Sequence, residues 1–233
     1  MRESEGHPVA QLTVSPGMRL TRMNMPNAIT VARILVCPVI FVLALSTGVG
    51  TLFAAFALYV AASLSDVWDG YLARKYGQVT DMGKLLDPLA DKLLLAATFI
   101  PFYFISHRGD PLGEIPWWGE LPLWVVLVVL GREVVVTVLR SWAARRGTII
   151  SAGPSGKFKT LLQSLFSALL LLWYPLVRLA DAGDWTGPLW SVWSGVHGAL
   201  VAVTLAAAVI LTVYSMLVYF WGYFSGPRAA SGS

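Results

Sequence analysis

Asp66 and Asp69 stand three residues apart, and Asp87 and Asp91 stand four apart. On a helix, either spacing turns both side chains to one face. The two apolar runs that these pairs close and open are joined by a short connection. Two helices joined by so short a connection must be antiparallel neighbours, and their carboxylates can then face each other. Four carboxylates in one pocket repel, and some would have to protonate. Two divalent cations remove that conflict, and oxygen donors without His or Cys favour Mg²⁺ or Mn²⁺ over zinc. Two rival readings use the same residues. The aspartates could pair with Arg74, Lys84 and Lys92 at an interface, or serve an ion or proton path. A path predicts acids near the middle of several spans, whereas these gather at the ends of two. Gly70, Ala73 and Gly83 are small residues beside the aspartates, suited to close approach of a ligand or, equally, of a neighbouring helix.

A second group is cationic. Arg132, Arg140, Lys157 and Lys159 flank the expected connection between the fourth and fifth apolar stretches, and Glu133 could orient an arginine. A phosphate-bearing substrate needs such cations, and arginine holds phosphate oxygens bidentately. Plain loading of a cytoplasmic loop with positive charge is the alternative, and it suits Arg145 and Arg146 better.

These residues must be positioned by apolar elements. Of the 233 residues, 56% are hydrophobic and only 13% charged, and mean hydropathy is +0.66. That composition excludes an ordinary soluble domain and a disordered chain. Cys37 is the single cysteine, so no intrachain disulfide forms. Apolar stretches near 28–47, 51–67, 85–106, 117–140, 158–177 and 192–222 each approach the roughly 20 residues that cross a bilayer as a helix. They are continuous and do not alternate, which favours helices over a barrel. The expected fold is an all-α, six-helix membrane bundle over residues 25–225, with a polar cavity open to the cytoplasm. Residues 1–24 form a polar extension and 226–233 a tail.

Asp66 and Asp69 then close the second span, and Asp87 and Asp91 open the third. A charge at mid-membrane costs about 2.5–3.5 kcal/mol on insertion scales, and less near the interface. Asp91, about 12 Å along a helix from Gly83, is the deepest of the four. Of the 17 Lys and Arg, only Arg108 and Arg178 fall on the side opposite the carboxylates. The positive-inside rule makes the rich side cytoplasmic, with both termini inside and a multi-pass chain. The net charge of +4 therefore reads as loop topology and anionic-lipid contact, not nucleic-acid binding. Ala44-Leu45-Ser46 looks like a signal cleavage site, but the lead is long, and Asn27, Thr30 and Arg33 put polar groups into the run. Trp117, Trp118, Trp185, Trp190 and Trp193 read as interfacial anchors on the other face.

Written out, the acidic region is Asp66-x2-Asp69-Gly70-x2-Ala73-Arg74-x8-Gly83-x3-Asp87-x3-Asp91. It resembles the signature of the CDP-alcohol phosphotransferase family at all eight fixed positions. The resemblance implies transfer of a phosphatidyl group from CDP-diacylglycerol to an alcohol, with release of CMP. It implies that Asp66, Asp69 and Asp87 chiefly hold two divalent ions, Mg²⁺ or Mn²⁺. It implies also that Asp91, close to those ions, is the base. The donor nucleotide would be lined by Asp69, Gly70, Ala73, Arg74 and Gly83. Three further segments resemble the bacterial phosphatidylglycerophosphate synthases of that family: Met25-Pro26-Asn27-x2-Thr30-x2-Arg33, Arg132-Glu133-x6-Arg140, and Gly156-Lys157-x-Lys159-Thr160-x2-Gln163. That likeness implies glycerol 3-phosphate as acceptor and a homodimer. Inositol phosphate, or phosphatidylglycerol for cardiolipin synthesis, is the alternative acceptor within the family, and an ion or lipid transporter is the alternative outside it.

Overall fold

The computed structural model describes the backbone of residues 25–75, 81–145 and 154–225. The proposed extension 1–24 and tail 226–233 lie outside the described residues. Six long helices run through the described chain: α1 Met25–Ala44, α2 Val49–Lys75, α3 Asp81–Ser106, α4 Leu123–Arg145, α5 Pro154–Ala182 and α6 Pro188–Ser225. Among the described residues there is no sheet, only one isolated bridge between Ile115 and Gly119.

The bundle is the expected all-α membrane-spanning one. Five helices (α1, α2, α3, α5 and α6) contain an apolar window long enough to cross a bilayer. The apolar run of helix α4 is interrupted by Arg132, Glu133 and Arg140, yet the 23 residues of the helix reach about 35 Å. It also begins later than the composition suggests, at Leu123 instead of about 117. Pro116 and Pro122 frame a turn in which Trp117 has φ 67° and Gly119 φ 70°. The Ile115 N–H donates to the Gly119 carbonyl at 2.8 Å, and a helix cannot start inside that closed loop. Helix α2 runs on to Lys75, carrying the whole Asp66–Arg74 segment on one helix end.

Short connections make successive helices antiparallel, and this sorts the polar residues. The starts of α1, α3 and α5 and the ends of α2, α4 and α6 share one end of the bundle. Asn27, Thr30, Arg33, Arg132, Lys159, Gln163, Thr212 and Ser215 are buried there. The middle is mainly apolar, with the buried hydroxyls of Thr98 and Ser167 meeting at 3.1 Å. Phe102 is fully buried, with its ring 6.1 Å from Phe99, 5.8 Å from Phe166 and 6.0 Å from Tyr174, an aromatic contact of α3 with α5. Without a hydrophobic drive between helices in lipid, such packing holds a membrane bundle together.

The opposite end is locked by loops. Asp110 caps a single 3-10 turn by accepting from the Leu112 N–H at 3.1 Å, and Arg178 of α5 reaches it at 2.5 Å. Partial burial pushes the Asp110 carboxyl up. The Arg178 hydrogen bond, the Leu112 N–H and the fields of Arg178 and Arg108 outweigh it and hold the group below its ordinary value. Trp193 stacks on Trp190 (5.0 Å) and on His197 (4.6 Å), and Trp173 of α5 stacks beside both Trp193 and His197. His197 also meets the Leu169 carbonyl at 2.9 Å. Trp193 thus joins α5 to α6 in addition to lying where an anchor is expected, whereas Trp117 is exposed.

Candidate active site

Helix α1 supplies the wall that the carboxylates face. Its buried stripe is Asn27, Thr30, Arg33, Cys37, Ile40 and Ala44, one residue every three or four positions. The half of the stripe nearer the start of α1 is polar and the rest is apolar. Thr30 Oγ1 donates to Asp87 Oδ1 at 2.9 Å. Arg33 Nη1 donates to Asp66 Oδ1 at 2.5 Å and lies 3.8 Å from Asp91 Oδ1. The Arg33 side chain is fully buried, while those of Asp66 and Asp91 are 40% and 50% exposed. Cys37 is buried one turn on and donates its thiol to the Arg33 carbonyl at 3.2 Å.

Three of the four expected carboxylates, Asp66, Asp87 and Asp91, are therefore drawn to one face of α1. The side chain of Asp69 lies outside the described residues, as do those of Ala73 and Arg74, and Gly70 is described only as helix backbone. Gly83 is half-buried in the first turn of α3. Among the described residues no three His, Cys, Asp or Glu side chains form a ready metal cluster. The donor set still fits a hard divalent ion: oxygen donors from two neighbouring helices, close enough to share the guanidinium of Arg33. Asp91 is one turn beyond Asp87, as expected, yet half its side chain is open, which a proton acceptor needs.

The cationic group sits at the same end of the bundle, on α4 and α5. Glu133 Oε1 accepts from Arg132 Nη1 at 3.1 Å and also from Lys159 Nζ. Lys159 is 1% exposed and Arg132 6%. Gln163, one turn beyond Lys159, donates to Thr212 Oγ1 of α6 at 3.1 Å and fixes that face of α5. Glu133 is thus a bridge between α4 and α5, where the sequence suggested only a partner for an arginine. The side chains of Arg140 and Lys157 lie outside the described residues. Plain topological loading needs no burial, whereas Arg132 and Lys159 are both buried.

Sequence reasoning did not place Thr30 and Arg33 in the site. The signal was present: a charged side chain inside an apolar span must have a counter-ion or line a polar space.

The chain is similar to known proteins along most of its length. The profile of the CDP-alcohol phosphatidyltransferase family matches residues 23–221. A probable phosphatidylglycerophosphate synthase of Mycobacterium tuberculosis is 38% identical over 200 residues, covering 84% of this chain and 79% of its own length. The CDP-diacylglycerol–glycerol-3-phosphate 3-phosphatidyltransferase of Bacillus subtilis is 38% identical over 74% of this chain and 91% of its own. The enzyme of that name in Escherichia coli is 30% identical over 85% of this chain and 93% of its own.

Proposed function

The chain belongs to the CDP-alcohol phosphatidyltransferase family, and from that premise we propose that it transfers the phosphatidyl group of CDP-diacylglycerol to glycerol 3-phosphate. The products are phosphatidylglycerol phosphate and CMP. The observation that carries the reading is the convergence of Asp66, Asp87 and Asp91 on one polar face of α1, inside the eight-position signature.

The chemistry follows from the residues. The acceptor hydroxyl attacks the phosphorus that carries the diacylglycerol. A new P–O bond forms, the bond to the CMP oxygen breaks, and the hydroxyl proton passes to Asp91. Asp66, Asp69, Asp87 and Asp91 would hold two divalent ions, Mg²⁺ or Mn²⁺. When bound, such ions neutralise the pyrophosphate oxygens and stabilise the departing phosphate. Gly70, Ala73 and Gly83 leave room for the nucleotide, and Arg74 adds a fixed charge beside it. Arg132, Arg140, Lys157 and Lys159 bind the acceptor phosphate. Interfacial placement lets the acyl chains stay in lipid while the soluble acceptor enters a polar cavity from the cytosol.

Incubation of the detergent-solubilised protein with CDP-diacylglycerol, Mg²⁺ and a panel of acceptors tests this reading. CMP release is expected with glycerol 3-phosphate. Release only with inositol phosphate or phosphatidylglycerol reassigns the acceptor. No release with any alcohol favours a transporter.

The site is proposed to face the cytoplasm of the inner membrane, and the protein to work as a homodimer. After Cys37→Ser, a cysteine at exposed Glu114 is expected to label from outside intact cells, and one at exposed Ser141 is not. Reversed labelling would put the carboxylates on the wrong side for cytosolic CDP chemistry.

A further inference from the structure

Arg33 is fully buried in a membrane span, and it touches carboxylates on two different helices, Asp66 of α2 and Asp91 of α3. A buried ion pair kept for stability alone is often replaceable by apolar residues without loss. A pair of that kind also needs one acid, and Arg33 reaches two. Its partners are residues proposed to hold the divalent ions. Thr30, one turn earlier, donates to the third, Asp87. Helix α1 thus presents one cation and one hydroxyl to the ends of α2 and α3, whose like charges repel.

We propose that Arg33 is a positioning residue that serves as a built-in counter-ion: it ties Asp66 to Asp91 and competes with the divalent ions for their carboxylates. The inference rests on the metal reading above and adds a residue outside the family signature. Two effects of removing the guanidinium point the same way. The tie between α2 and α3 is lost, which harms the protein most when no metal replaces it. A positive charge within a few ångströms of a bound dication also disappears, and that repulsion is large at protein dielectric. Both effects enlarge the gain that metal gives.

The experiment compares thermal midpoints of the full-length protein in detergent with Mg²⁺ and with EDTA, and measures Mn²⁺ affinity by electron paramagnetic resonance. Arg33→Gln is expected to lower the midpoint in EDTA and to recover most of the loss in Mg²⁺. The metal-induced shift should then exceed that of wild type by about 2–4 °C or more. Mn²⁺ should bind about tenfold more tightly, because the ion no longer displaces an internal partner. Arg33→Lys keeps the charge on a shorter reach, so it should move both readouts in the same direction by less. It decides the matter if the glutamine variant does not fold. Equal midpoint losses with and without metal, together with unchanged Mn²⁺ affinity, would make Arg33 an ordinary structural residue and overturn the proposal. A wild-type protein that neither binds Mn²⁺ nor responds to Mg²⁺ sinks the metal reading itself, and Arg33's role with it.

Discussion

Asp66→Asn, Asp69→Asn, Asp87→Asn and Asp91→Asn are each expected to abolish CMP release, with turnover falling by about 10²-fold or more. The amide keeps the shape of the carboxylate and removes the charge that a divalent ion requires. The four variants should nevertheless separate in a second measurement. Asp91→Asn removes the proposed proton acceptor but leaves three ligands, so some response of the thermal midpoint to Mg²⁺ should survive. Asp66→Asn loses a ligand and also weakens the 2.5 Å contact with Arg33. It should therefore cost stability in EDTA as well as activity. Asp87→Asn keeps an oxygen that can accept from Thr30, so its metal-free fold should be close to wild type. Excess chelator should silence the wild-type enzyme, and Mg²⁺ or Mn²⁺ should restore it. Full turnover in excess EDTA would reject a two-metal site.

The parts of this site that were legible in the sequence are those set by spacing along one helix. The places of Asp66 near the end of α2 and of Asp87 and Asp91 near the start of α3 needed only the helical period and the positions of two apolar runs. The common end of the bundle needed only the alternation of short connections. What spacing does not give is the rotation of each helix about its axis, and that decides which side chains meet across an interface. Thr30 and Arg33 stood out as polar groups in the first apolar run, and a charge there must face a polar space, but nothing along α1 says that α2 and α3 supply it. Glu133 was in the same position: adjacent to Arg132 in the chain, it bridges to Lys159 across 26 residues of sequence. The start of α4 was hidden for another reason. Trp117 and Trp118 lengthen the apolar run at 117–140, and composition alone does not show that Trp117 sits at positive φ in a closed turn. Hydropathy counts apolar residues whether they are in a helix or in an interfacial loop.

The cationic group gives the second large expected effect. Arg132→Ala or Lys159→Ala should raise the apparent KM for glycerol 3-phosphate by roughly 10–150-fold, the equivalent of one charged hydrogen bond worth about 1.5–3 kcal/mol. Burial makes this a sharper test than loop position would. Lys159 is almost wholly enclosed and shares the Glu133 carboxylate with Arg132, so the three form a fixed cluster and not a pair of waving surface charges. Two cations against one carboxylate leave a single positive charge among the described groups. A phosphate dianion needs more, and Arg140 and Lys157, on the same helix ends, are the available sources. Neutralising either of these should therefore also weaken the acceptor. Truncating Arg132 or Lys159 leaves Glu133 with its other partner, so neither loss should strand a buried carboxylate, and the thermal midpoint provides the check. Arg145→Ala, nearer the middle of the connection, should be mild, because its charge is that of loop topology. CDP-diacylglycerol binding, measured separately with Mg²⁺ present, should change little in all of these variants. If the acceptor KM holds steady while donor binding collapses, the cluster belongs to the nucleotide lipid. The phosphate on the acceptor would then have no recognised partner in the bundle, and an uncharged alcohol would become the better substrate to try.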